Sequence, residues 1–133
     1  MKPLSKEEAI RLHKEMWNYV KDNFRPHERE KSRSLLKSDF IFNKLGYTGF
    51  EPVYQDCFFC EYAKQQYHKF NKPSEIEDGR LYCKYCPAIW GTENITNKFF
   101  CEHNYPVKEG ADNIIDWRFS NIDDIINIKI KED

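Results

Sequence analysis

Apolar residues return at helical spacing from the start of the chain. Ala9, Ile10, His13, Met16, Trp17, Val20 and Phe24 recur every three or four positions until Pro26 stops the run. Ser5 followed by Glu8 is the capping-box pattern that satisfies the first free amides of a helix, so a helix is predicted over residues 6–24. A charged stretch, Pro26 to Ser34, then leads into Leu35, Leu36, Phe40, Ile41 and Leu45 ahead of Gly46. That pattern predicts a second helix with a glycine at its C-terminal end and Ser34 or Ser38 as its N-cap. The Gly, Pro and Tyr content of 46–56 reads as a loop, 61–70 as a helix ending before Asn71-Lys72-Pro73, and 71–80 as a polar insert. Further on the period is ambiguous. Ile114 to Phe119 fits a strand, and Asn121 to Ile130 fits a helix at least as well as a strand.

Composition changes this picture chiefly through cysteine and charge. The 133 residues suffice for one domain with an adequate core, and 16% aromatic content means that Phe, Tyr and Trp must fill much of it. The N-terminal sequence lacks the apolar stretch of a signal peptide, and no segment approaches the length of a membrane span, so a cytoplasmic protein is expected. In a reducing compartment, five cysteines point to metal ligation rather than disulfides.

Two C-x-x-C pairs, Cys57/Cys60 and Cys83/Cys86, stand 22 residues apart. Each two-residue gap lets the backbone curl around an ion so that both sulfurs reach about 2.3 Å from it, which is what tetrahedral zinc requires. The expected fold is therefore α+β, mainly helical, a small single domain over 1–133 built around one structural zinc ion held by zinc-ribbon or treble-clef-like knuckles. Its parts are a helical N-terminal part (1–45), a zinc-binding part (46–103) and an acidic C-terminal part (104–133).

Three other uses of these thiols compete. Small buried hydrophobes rarely fall into two such pairs. A redox dithiol needs a helix start in a thioredoxin-like βαβ context, which the pattern does not offer. An iron–sulfur cluster agrees with Cys86-Pro87 but not with the spacing, and metal analysis separates it from zinc. Cys101 and His103 form a C-x-H element that is either an additional ligand or a spare thiol beside the site.

Four thiolates leave no open position for water, which argues against a metalloenzyme, and no other catalytic constellation is present. His13 sits among apolar positions, where a hydrogen-bonded core histidine is expected rather than a base. Aromatic residues flank both pairs and are read as core packed beside the metal rather than as a base-stacking platform.

Charge nearly cancels overall, with 21 basic and 22 acidic residues, but unevenly. Residues 1–45 carry 11 Lys or Arg and 7 Asp or Glu, whereas 102–133 carry 4 and 8. Asp112, Asp116, Asp123 and Asp124 are accordingly the candidate partner-binding residues of an acidic face suited to a basic protein surface.

Several stretches resemble a family of small bacteriophage proteins. They are His13-Lys14-Glu15-Met16-Trp17-Asn18-Tyr19-Val20, Lys37-Ser38-Asp39-Phe40, Cys57-Phe58-Phe59-Cys60-Glu61-Tyr62-Ala63, and Cys83-Lys84-Tyr85-Cys86-Pro87 with Trp90-Gly91. The resemblance covers roughly residues 9–103, and the chain is also similar to a zinc-containing class of type II anti-CRISPR proteins. It implies a phage or prophage origin and a non-enzymatic inhibitor, in the cytoplasm of the bacterial host, that binds a CRISPR effector nuclease. The alternative is a zinc-ribbon-like nucleic-acid-binding or transcription-regulating module, with Arg11, Lys14, Lys21 and Arg25 on one face.

Overall fold

The computed structural model describes residues 3–46, 57–71, 79–90, 115, 117–118 and 120–132. Its axis is helix α1, Lys6–Asn23. The Ser5 hydroxyl accepts the Glu8 amide at 3.1 Å and the Glu8 carboxylate accepts the Ser5 amide at 3.4 Å, so the predicted capping box is formed. At the other end Phe24 turns extended, its amide still bonded to the Val20 carbonyl at 2.7 Å, and Pro26 cannot resume the helix. The stripe Ala9, Leu12, His13, Met16, Trp17 and Val20 is buried.

A 3-10 turn, Arg29–Lys31, takes up part of the charged stretch and delivers Ser32 in an extended conformation. Ser32 then caps helix α2, Arg33–Asp39, its hydroxyl accepting the Leu35 amide at 3.3 Å. The cap is thus neither Ser34 nor Ser38, because the backbone is already helical at both. Beyond Asp39 the helix widens into a π-helical turn, Phe40–Lys44, closed by the Leu45 amide on the Phe40 carbonyl at 2.9 Å. Adjacent residues Phe40 and Ile41 are both buried there, and Gly46, at φ 71°, provides the left-handed exit expected of a glycine after a helix.

Helix α3, Phe58–Phe70, starts earlier than the sequence pattern suggested and takes the first cysteine pair into its first turn. A 3-10 segment, Gly79–Tyr85, packs against α3 and carries Cys83 and Lys84. Near the C-terminus a short helix α4, Ile122–Ile126, is capped by Asn121, which accepts the Asp123 amide at 2.9 Å.

Helix formation wins only this far along Asn121–Ile130. The rest of that stretch runs out to an isolated antiparallel bridge between Ile130 and Ala88, flanked by Ile89 N–H to Lys129 O (2.8 Å) and Lys131 N–H to Pro87 O (2.7 Å). No longer ladder exists among the described residues, so the fold is a small, mostly helical single domain. Where a strand was expected around 114–119, Trp117 and Arg118 lie in a turn, while the Ile115 amide bonds to the Trp90 carbonyl at 2.9 Å.

Two apolar clusters share α1. One joins Leu12, Met16, Trp17 and Val20 to Leu36, Phe40, Ile41, Phe58, Ile125 and Ile126. The other joins Ala9 to Cys57, Phe59, Ala63, Tyr82, Cys86, Ala88, Trp90 and Ile128. The C-terminal segment reaches both, with Ile125 and Ile126 in the first and Ile128 in the second.

Candidate functional site

Three cysteines fall in or against the second cluster, where an apolar wall excludes water from sulfur. Cys57 is the N-cap of α3, where the nearby amides of Phe59 and Cys60 favour a negative charge on its sulfur. A hydrogen bond from the Cys60 thiol lowers the Cys57 pKa most; burial opposes it, and the Lys37 charge and the two amides assist, leaving the thiol at about 6 instead of 9.0. The thiolate is the form that ligates metal, so this corner is prepared for a cation.

At the end of the facing 3-10 segment, the amide of Cys86, the residue just beyond it, bonds to the Cys83 carbonyl at 3.0 Å, which makes the C-x-x-C loop a tight turn. Trp90 donates its indole N–H to Cys86 Sγ at 3.4 Å, a support that orients the sulfur from outside. Cys57, Cys83 and Cys86 are buried and Cys60 is half-buried. The donor set is all sulfur, held partly by N–H groups, and its chemistry fits zinc. Among the described residues, however, no three His, Cys, Asp or Glu side chains converge closely enough to hold an ion. Cys101 and His103 lie outside the described residues.

Residues around the pairs also account for the Glu-Tyr-Ala that follows Cys60. Glu61, buried, accepts from the Gln65 amide at 3.3 Å, and Gln65 accepts the Leu4 backbone N–H at 2.7 Å, tying the start of the chain to α3. Ala63 is small enough to disappear into the cluster, and Tyr62 packs against both clusters.

Lys37 entered the sequence reading only within a resemblance stretch, with no role assigned to it. It is 3% exposed, with its ammonium 3.8 Å from the Trp117 ring centroid and 5.9 Å from that of Trp17. A cation on aromatic faces is tolerated where a bare one is costly, and here it also favours the Cys57 thiolate. No periodicity distinguishes such a lysine from a solvated one.

His13 is buried as expected, with Nε2 2.8 Å from the Ile125 carbonyl and its ring stacked on Phe59 at 4.1 Å. Nδ1 is buried without a hydrogen-bond partner, so the neutral ring donates through Nε2. Burial, partly offset by that bond and reinforced by Lys37 and Lys14, lowers its pKa to about 4.

The acidic candidates separate. Asp123 and Asp124 are exposed on the first turn of α4, and Asp123 pairs with Lys21 at 2.7 Å. Asp112 and Asp116 lie outside the described residues. Three of the four basic candidates are likewise engaged within the molecule: on α1, Arg11 pairs with Glu15 at 3.1 Å and Lys21 with Asp123, and beyond its end Arg25 donates to the Phe24 carbonyl at 2.7 Å; Lys14 is exposed.

No helix among the described residues is long and apolar enough to cross a membrane. Comparison with protein-family models, with curated proteins and with solved structures finds no match to the chain in any of the three.

Proposed function

We propose that this is a non-enzymatic phage or prophage protein, stapled by one structural zinc ion on Cys57, Cys60, Cys83 and Cys86, that binds and inhibits a host defence protein. The observation that carries the zinc reading is the N-capping Cys57, its thiol lowered to about 6, on a helix packed against the segment bearing the second pair. Zinc would draw the four sulfurs into a tetrahedron, and four thiolates would leave it no open position for catalysis. The target class, a type II RNA-guided DNA nuclease, rests on the family resemblance and on the exposed carboxylate of Asp124 with its neighbour Asp123. Such a nuclease offers basic channels that an acidic surface complements.

Elemental analysis of purified protein, followed by its titration into nuclease binding and cleavage assays, tests both halves. One zinc per chain together with reduced target cleavage is the expected result. A protein that neither binds the nuclease nor changes its activity removes the inhibitor reading and leaves the metal reading to stand on the analysis alone.

A second reading gains one observation. A C-x-x-C whose first cysteine caps a helix, with a lowered thiol, is also how redox dithiols are arranged. The attacking sulfur of such a pair must be reachable, yet Cys57 is only 8% exposed, which favours the metal. Iron or no metal in the elemental analysis, with a dithiol that reduces a disulfide substrate, would reverse that preference.

A further inference from the structure

The far end of α3 presents a surface that the metal reading does not use. Phe70, the last residue of the helix, is 65% exposed. Its plane lies 12° from that of Tyr85, with centroids 6.2 Å apart. At that separation the rings are offset and do not blanket each other.

Tyr85 is held in place rather than free to rotate. Its hydroxyl accepts from the Asn71 amide at 3.2 Å, the same amide donates to the Tyr67 carbonyl at 3.0 Å, and the Tyr67 ring meets Tyr85 edge-on at 6.1 Å. Two cations flank the pair, Lys69 at 5.6 Å from the Phe70 centroid and Lys84 at 5.2 Å from that of Tyr85. Residues 62–71 and 79–90, which supply this face, contain no Asp or Glu.

An isolated exposed ring is ordinary on a protein surface. Parallel aromatic faces with lysines beside them, on two segments without acidic residues, the nearest acid of α3 being the buried Glu61 of its first turn, match the chemistry of a flat π-system linked to an anion. We infer that the Phe70–Tyr85 pair is a stacking platform for single-stranded nucleic acid, with Lys69 and Lys84 taking the phosphates. A base displaces each lysine from a ring face, stacking more strongly than an exposed cation, and the released ammonium moves to the backbone anion. In duplex form the bases are already stacked on one another and offer no free face. The link between the two elements carries Glu75, Glu77 and Asp78 in the sequence against Lys72, so modest affinity is expected. The inference does not depend on the identity of the proposed protein target.

The test is fluorescence anisotropy of the full chain with labelled oligo-dT, oligo-U and a blunt DNA duplex at low salt. Binding of either single strand in preference to the duplex is expected, and the two single strands tell DNA from RNA. Phe70→Ala, at a position that contributes little to the core, should weaken binding about ten-fold with unchanged thermal unfolding. Lys69→Gln combined with Lys84→Gln should weaken it further and lower the salt slope by about 1.4. Leu35→Ala, exposed on α2, is the control and should bind like the parent. Absence of single-strand binding, equal affinity for the duplex, or parental affinity in Phe70→Ala would each overturn the inference.

Discussion

His13 shows how a single side chain sets a pH dependence. In the folded protein its ring is neutral and buried with a pKa of about 4, whereas in the unfolded chain it takes a proton near 6.5. The depressed folded value means that stability is complete above pH 6.5 and is lost as pH falls toward 4, by about 3 kcal/mol in all. Urea unfolding at pH 7 and pH 4.5 should show most of that loss, and His13→Gln should flatten the difference. The window is separate from that of Asp39, whose carboxyl is held below 3.8 by the Tyr19 hydroxyl and the Asn43 amide and so responds at lower pH. At the same scale, the proposed zinc site requires that Ser in place of any one of the four paired cysteines abolish metal uptake and unfold or aggregate the protein, because structural zinc binding of about 10 kcal/mol is coupled to folding. Thermal melts alongside metal analysis check this. The buried histidine was legible in the sequence because apolar periodicity singles it out, whereas the cysteine spacing suggests a four-ligand site that remains part of the proposal. Lys37 and the Phe70–Tyr85 pair were not legible, because burial of a lysine and parallelism of two rings 15 positions apart are decided by tertiary packing.

The elements divide in the same way. α1 was readable at both ends because Ser5–Glu8 and Pro26 act locally on its backbone. Ser5→Ala should therefore cost about 1 kcal/mol in chemical denaturation. Gly46→Ala meets no neighbouring atom but must adopt φ 71°, and should cost a similar amount, about 1 kcal/mol. The cap of α2 was misplaced because three serines compete within a few residues and only the preceding 3-10 turn selects Ser32. For α3, Cys57 is not among the usual capping residues, so the pattern suggested a later start than Phe58. The C-terminal stretch mixes a short helix with an isolated bridge, two periods within ten residues that no window can separate.

At the scale of the molecule, the C-terminal segment unites the two clusters by placing Ile125 and Ile126 in one and Ile128 in the other. Ile125→Ala should leave a cavity costing about 3 kcal/mol and weaken both ends of the domain together, seen as a single unfolding transition at a lower midpoint. The exposed Lys21–Asp123 pair adds little to this in water, whereas Lys6 reaches the Lys131 carbonyl at 2.7 Å and ties the first helical turn to the same segment. The bond from His13 to Ile125 spans 112 positions. During synthesis the apolar stripe of α1 must therefore wait for those 112 residues before its last covering residues exist. At about 5–20 residues per second that is on the order of ten seconds. Throughout that interval α1 is an amphipathic helix without its full set of mates, a natural substrate for ribosome-associated chaperones, and the domain can close only once the segment around Ile125 has been made.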